Sequence, residues 1–222
     1  MANKKNQETM KFIQLFYFLS LLVLLNTKPL QGDKPEAVVD KQGNPLKQGE
    51  GYYVFPLWAD NGGITLGQTR NKTCPLDVIR NPEAIGSPVY FYEYEHDYIP
   101  TLTDLTIEIP ISGSPCSERK VWKISKEGTR ARFWFVSTGG FPGNLFSKFK
   151  IERLEGEHAY EIYSFLYCPS VPGVLCAPVG TFTDTDGTKV MAVGNGIEEP
   201  YYVRFQKAFT FTQNRNQDLS SV

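Results

Sequence analysis

Short apolar runs alternate with turn residues along most of the chain. The runs are rich in aromatic and β-branched residues, and Gly, Pro, Asn and Asp separate them. Some alternate apolar and polar positions with a period of two, as half-buried strands do. The pattern predicts these strands: Tyr52–Phe55, Val89–Tyr94, Leu105–Ile111, Val121–Ile124, Arg132–Val136, Phe149–Ile151, Tyr160–Tyr167, Lys189–Val193 and Tyr201–Phe205.

Turn and helix signals favour an all-β fold. Asp186-Gly187 predicts a hairpin turn, because Gly accepts the positive φ that a tight turn needs. We find no amphipathic helical run, and the 15 prolines and 19 glycines would interrupt most long helices. Many short strands separated by turn signals are typical of a barrel or a sandwich.

A short apolar segment near the N-terminus indicates export. Residues Phe12–Leu25 carry no charge and follow three lysines. A membrane-spanning helix needs about 20 apolar residues, whereas this length fits the apolar region of a secretory signal peptide. We predict a signal peptide over residues 1–32, cleaved near Gly32, and an extracellular or vacuolar protein with no stable membrane insertion afterwards. A signal anchor that is never removed is the alternative.

The rest of the chain suits a single domain. About 190 residues follow the signal peptide, enough to bury a sizeable core. We place the domain at residues 33–212 and a polar C-terminal tail at residues 213–222. The formal net charge is -1 and the charges are mixed along the chain, so nucleic acid is not an expected partner. We expect a monomer.

An even number of cysteines follows the export signal. They are Cys74, Cys116, Cys168 and Cys176. In an exported chain this predicts two disulfides, with three pairings open to the sequence alone. Cysteines in bridges leave no thiol for catalysis or for a zinc site. The triplet Asn71-Lys72-Thr73 predicts N-glycosylation at Asn71.

The remaining polar residues give no sign of an enzyme. The chain has two histidines, His96 and His158, and each lies among charged residues in a predicted surface loop. The chain lacks the hydrolase, metalloprotease and phosphate-loop motifs. We therefore predict no catalytic activity, no metal site and no cofactor.

Six segments form a series that a known family shares. They are Val38–Leu46 followed by Tyr52-Tyr53-Val54, Thr73–Leu76, Val121–Ile124, Phe146–Glu152, Tyr163–Cys168 followed by Cys176, and Val203–Lys207. Together, over residues 37–208, they resemble the plant Kunitz (soybean trypsin inhibitor-type) family. The resemblance implies a β-trefoil, with six two-stranded hairpins of which three close a barrel. It also implies the bridges Cys74–Cys116 and Cys168–Cys176.

The resemblance further implies a protease as the partner. Members of the family inhibit serine proteases with an exposed loop that enters the enzyme's cleft like a substrate. By position this reactive loop comprises Ser87, Pro88, Val89, Tyr90, Phe91 and Tyr92. Tyr90 would fill the specificity pocket and Phe91 would follow the scissile bond, which predicts a chymotrypsin-like rather than a trypsin-like target. Gln48 stands where the family often has an Asn that braces the loop from inside.

Several alternatives remain open from the sequence. Residues Val89–Tyr94 can be a strand with inward aromatic residues, and another loop, above all Pro169–Leu175, can be the binding surface. The chain can also inhibit cysteine or aspartic proteases through another loop, or be a non-inhibitory trefoil with a storage, carbohydrate-binding or small-ligand role. Lectin trefoils commonly repeat Gln-x-Trp, but here Pro56, Lys120 and Arg132 precede Trp58, Trp122 and Trp134.

Overall fold

The computed structural model divides the chain into two compact units, residues 1–34 and residues 35–222. It describes residues 14–18, 35–93, 95–125, 133–156, 161–173, 176–195 and 197–208. In the first unit, residues 14–18 form a helical segment. The rest of the predicted signal peptide, the predicted tail at 213–222 and His158 lie outside the described residues. No helix among the described residues is long and apolar enough to cross a membrane.

The described part of the second unit is built from strands. They are β1 (Gly51–Pro56), β2 (Ile64–Gly67), β3 (Asp77–Arg80), β4 (Val89–Tyr92), β5 (Thr106–Glu108), β6 (Lys123–Ser125), β7 (Phe133–Ser137), β8 (Phe149–Arg153), β9 (Tyr163–Tyr167), β10 (Ala177–Thr183), β11 (Lys189–Gly194) and β12 (Tyr202–Lys207). A 3-10 turn, Leu145–Ser147, precedes β8. Each predicted strand is confirmed, although the ends differ by a few residues.

The sequence pattern missed three strands, β2, β3 and β10. The first two have four residues each, so alternation is hard to detect. The third contains Pro178 and Gly180, which normally weaken a strand prediction. Its glycine is required because a Cβ at Gly180 would lie 2.3 Å from the carbonyl oxygen of Glu199. The Asp186-Gly187 turn is confirmed: it joins β10 to β11, with Gly187 at a φ of 87°.

Six strands close into a barrel. β1 pairs with β4 and β12, β4 with β5, β8 with β9, and β9 with β12, all antiparallel. Leu105 and Phe149 complete the ring between β5 and β8 by exchanging two backbone hydrogen bonds, of 2.7 and 3.3 Å. Every barrel strand therefore has a partner on both sides.

The other six strands form three hairpins, β2–β3, β6–β7 and β10–β11. The hairpins pair with one another, since β11 pairs with both β3 and β7, and β3 also meets β7. A closed six-stranded barrel with three hairpins joined to each other is a β-trefoil. The predicted fold class is confirmed.

Aromatic residues fill the barrel. Phe91, Phe165 and Phe205 are fully buried, and their ring centroids lie 5.6 to 6.3 Å apart. Trp122, also fully buried, packs edge-on against Phe149 and Phe165. Because side chains alternate across a strand, this core forms from every second residue of the barrel strands.

Both disulfides of the predicted pairing are present. Cys74–Cys116 has a Cα–Cα distance of 5.7 Å and links the segment before β3 to the segment before β6. Cys168–Cys176 closes the short connection between β9 and β10. The first closes a loop of about 43 residues, which in the loop-closure description stabilises the fold by about 4 kcal/mol.

The position of Phe91 makes a testable prediction. We expect Phe91→Ala to lower the free energy of unfolding by about 3–5 kcal/mol, because it leaves a cavity among three aromatic rings. Chemical denaturation followed by circular dichroism measures this. Tyr90→Ala is the matched control and should cost clearly less, since Tyr90 is only partly buried. Equal effects of the two substitutions would contradict the inward placement of Phe91.

Candidate functional site

The predicted reactive loop is not an exposed loop. Val89, Tyr90, Phe91 and Tyr92 form β4, in which Val89 and Phe91 are fully buried. The expected scissile bond between Tyr90 and Phe91 lies inside a paired strand, with Tyr90 opposite Gly51 on one side and Glu108 on the other. The prediction was wrong here because the alternation in Val-Tyr-Phe-Tyr is that of a half-buried barrel strand.

The residues just before β4 are also fixed. Ser87 donates its backbone N–H to the carbonyl of Ile64 (2.8 Å), and its hydroxyl lies 2.7 Å from that of Thr65. Pro88 and the ring of Tyr90 lie over Gly51, where an added Cβ would approach both to 3.1 Å. Residues 87–92 are therefore held against β1 and β2 and do not project toward a partner.

The expected brace is absent as well. Gln48 is exposed in the turn before β1, so it does not support a loop from inside. The contact from this turn to β4 is made by the main chain instead, since Gly49 donates its N–H to the carbonyl of Phe91 (3.3 Å). That bond helps to hold β4 in the barrel.

The exposed segment in this region lies farther along the chain, in the connection from β4 to β5. Glu95 and Asp97 are exposed there, and His96 and Tyr98 are partly exposed. Tyr94 is outside the described residues. The sequence does not single out this segment, because the aromatic residues of β4 give a stronger signal of an interface. The change from apolar alternation to Glu95-His96-Asp97 was the available signal for the end of the strand.

A buried carboxylate fixes the N-terminal end of this connection. Glu93 is 4% exposed, and its oxygens accept the backbone N–H groups of Glu95 (3.0 and 3.1 Å) and His96 (2.9 Å). The Nδ1 atom of His96 lies 3.1 Å from the same carboxylate. Bonds from a carboxylate to backbone N–H groups are stronger than neutral ones. Glu93 therefore determines the path of the chain as it leaves the barrel.

The same three residues are the candidate cation ligands of this region. One ligand atom from each of Glu93, Glu95 and His96 lies within 4.8 Å of the others. The oxygens of Glu93 already accept N–H groups of the loop, so the cluster has a structural role without an ion.

Backbone hydrogen bonds fix the C-terminal end of the connection. Ile99 receives the N–H of Val38 and donates its own to Leu46, both at 2.8 Å. Thr101 then donates to the carbonyl of Glu36 (2.7 Å), and Leu102 donates to the carbonyl of Ile151 (2.8 Å). Residues 95–98 thus form a short exposed segment between two fixed ends.

A second carboxylate joins this connection to the loop closed by Cys168–Cys176. Asp104 accepts the N–H and the hydroxyl of Ser170 at 3.2 and 3.1 Å, and it pairs with Lys148 at 3.0 Å. Of the alternative binding surface, Pro169–Leu175, Pro169 is buried while residues 170–173 are exposed. Val174 and Leu175 lie outside the described residues.

This chain is similar to known proteins over most of its length. Residues 38–207 match the legume Kunitz family, described as "Trypsin and protease inhibitor". Kunitz trypsin inhibitor 5 of Arabidopsis thaliana is 31% identical over 208 residues, covering 88% of this chain and 98% of the relative.

Solved structures share the fold. The Kunitz-type cysteine protease inhibitor from potato has a TM-score of 0.65 and 28% identity, covering 80% of this chain and 100% of that one. The water-soluble chlorophyll protein from Brassica oleracea, with chlorophyll b, has a TM-score of 0.64 and 26% identity, covering 78% and 99%. The family's inhibitors block proteases and are not themselves catalysts. The extent of these matches shows that this chain belongs to the plant Kunitz (soybean trypsin inhibitor-type) family.

Proposed function

We propose that the protein inhibits an endopeptidase and presents residues 95–98, in the β4–β5 connection, to the enzyme's cleft. The observation that carries the proposal is an exposed segment with both ends fixed, by Glu93 on one side and by the bonds of residues 99–102 on the other. Relatives of the protein support protease inhibition, since the similar Arabidopsis protein is named a trypsin inhibitor. No catalytic group of the inhibitor is needed.

Rigidity is the physical basis of such inhibition. A segment that is already ordered loses little conformational entropy on docking, so more of the contact energy is expressed as affinity. The barrel beneath residues 95–98 has a complete ring of paired strands. If the protease cuts one peptide bond, the two new ends stay close together, and religation competes with release.

The negative charge of residues 95–98 limits which class of protease can accept this segment in its specificity pocket. A trypsin-type specificity pocket has a buried Asp that requires a cation. Glu95 and Asp97 would bring anions to it, so we infer that the target is not trypsin. The chymotrypsin-like preference expected from Tyr90 lacks its residue, because Tyr90 lies in β4. A chymotrypsin-like enzyme remains a candidate through residues 95–98. The likeness to the potato protein makes cysteine proteases a second class to test.

We further propose that the chain enters the secretory pathway and acts outside the cell or in the vacuole. The apolar segment after three lysines supports export, and so do the two disulfides. Asn71 is exposed, with a φ of 56°, and Thr73 of the same acceptor triplet is exposed too. Both are accessible to a glycosyltransferase.

Placing an arginine at either of two positions tests which segment the protease binds. We expect Glu95→Arg to gain trypsin inhibition, with a Ki at least about tenfold below that of the wild type, because it brings a partner to the buried Asp of trypsin. Tyr90→Arg is the matched control and should gain none. The measurement is a panel of trypsin, chymotrypsin, subtilisin and papain. Trypsin inhibition by the Tyr90 variant alone would overturn the assignment of residues 95–98.

Removal of the charge of Glu93 tests whether its carboxylate holds the N-terminal end of the β4–β5 connection in place. We expect Glu93→Gln to lower the free energy of unfolding by about 1–2 kcal/mol and to weaken protease binding by about tenfold, because a neutral amide holds the loop N–H groups less well. Denaturation and inhibition assays measure the two effects. Glu95→Gln, on the exposed neighbour, should leave stability unchanged. Full inhibition by the Glu93 variant would show that the brace is unnecessary.

Export and glycosylation have a common test. Expressed with residues 1–32 in a eukaryotic secretory host, the protein should reach the medium, shortened at its N-terminus and carrying a glycan. Mass spectrometry before and after glycosidase treatment should show a loss of mass that Asn71→Gln abolishes. A secreted wild type with an unmodified Asn71 would refute the glycosylation proposal but leave the export proposal intact.

A further inference from the structure

A cleft on another part of the unit, with no residue from β4 or the β4–β5 connection, has features of a binding site. It has a volume of about 190 Å³ and lies between the β1–β2 connection, Arg80 at the end of β3, and the segment that leads into β12. Trp58 and Arg80 line it, with Tyr201 and the neighbouring Glu198 and Glu199. Nothing in the inhibitory proposal uses these residues.

Trp58 is exposed because its turn holds it there. The indole is 88% exposed, the highest value among the large apolar side chains of the described residues. Yet the turn is anchored, since Leu57 donates its N–H to the carbonyl of Tyr202 (3.0 Å). Asp60 pairs with Lys41 at 2.5 Å and lies 3.5 Å from Arg204. A large aromatic surface on a fixed turn is a ready contact for a planar ring.

Arg80 offers an unused donor. Its Nε is buried and has no hydrogen-bond partner among the described residues. Gly62, at a φ of 85°, lies so close that an added Cβ would be 3.0 Å from that nitrogen. Nearby, the hydroxyl of Tyr201 donates to the carbonyl of Gly62 (3.0 Å). Burial also raises the pKa of Tyr201, so its hydroxyl stays neutral and keeps that bond. The Nε lies beneath the surface, so a ligand meets Arg80 through the part of its guanidinium that lines the cleft.

The other charges of the cleft are largely balanced. Lys189 pairs with Glu198 at 2.5 Å, and Thr183 also donates to that glutamate. Glu199 is exposed at the edge. The guanidinium of Arg80 is therefore the cation available to a ligand, and a carboxylate suits it because the two can form charge-assisted hydrogen bonds. The carboxylate of Glu199 opposes a bound anion.

The cleft has room for one ring. A cavity of about 150 Å³ holds benzene, so a volume of about 190 Å³ accommodates one aromatic ring with a carboxylate. We propose that this cleft binds a small aromatic carboxylate, with its ring against the indole of Trp58 and its carboxylate on the part of the Arg80 guanidinium that lines the cleft.

Titration calorimetry of the purified protein with 4-hydroxybenzoate tests the proposal. We expect a Kd at or below about 1 mM. The uncharged 4-hydroxybenzamide should bind at least about tenfold more weakly, since it lacks the charge that Arg80 pairs with. Trp58→Ala should weaken binding about fivefold and Arg80→Gln about tenfold. Glu199→Gln should tighten it, because it removes a like charge.

Two controls separate the site from general effects. Trp134→Phe, a change away from the cleft, should leave the affinity unchanged, and thermal melting shows whether each variant is folded. Because Trp58 is on the surface, its variant tests the site even if Arg80→Gln does not fold. Protease inhibition should be the same in the Trp58 variant and the wild type, which keeps this site distinct from residues 95–98. Absence of binding, equal binding of the amide, or an unchanged affinity in Trp58→Ala would each overturn the proposal.

Discussion

The barrel closes where Leu105 and Phe149 exchange backbone hydrogen bonds, and the remaining architecture depends on that closure. A closed sheet has no free edge, so every barrel strand is paired on both sides and its inward side chains must meet at the centre. The rings of Phe91, Phe165 and Phe205 fill that space. The inward side chains and the peptide groups of such a strand are already buried or paired, and for this reason the binding surfaces that we propose use the connections and the strand ends.

Single carboxylates shape several of those connections. Asp40 accepts the N–H groups of Gln42 and Asn44 in the turn before β1, and Asp60 holds the β1–β2 turn through Lys41. Glu93 directs the chain out of β4, and Asp104 joins the end of the same connection to the loop closed by the second disulfide. A carboxylate can accept several N–H groups at once, so one side chain orders several residues. Loops held in this way keep one shape while their outer side chains stay exposed.

The family has an inhibitory activity and a shared barrel, but its members need not present the same residues. A trefoil supports different binding functions because the barrel carries the stability and the connections carry the contacts. In this chain the β4–β5 connection is acidic, whereas the large exposed indole of Trp58 and Arg80, whose Nε has no hydrogen-bond partner among the described residues, lie elsewhere. The two proposed surfaces share no residue, so we expect a change in one to leave the other intact. On these two proposals, a single barrel holds both an inhibitory loop and a small-molecule cleft.

Local sequence patterns determined most of the strands, one turn, the fold class and the disulfide pairing. Apolar runs separated by turn residues identified nine of the strands, Asp186-Gly187 identified the turn between β10 and β11, and the series of family segments identified the trefoil and both bridges. Such features are encoded within a few residues or in a shared order of segments, and the sequence displays both.

Local patterns did not determine where the proposed inhibitory site lies. The peptide that holds Tyr90 and Phe91 is the same sequence whether it is an exposed loop or a barrel strand, and only its pairing with Gly51 and Glu108 decides between them. The brace at Glu93 and the unpaired nitrogen of Arg80 likewise depend on which groups lie nearby in space. The tertiary structure alone decides this, because hydrogen bonding and burial are properties of neighbours that the chain brings together from distant positions.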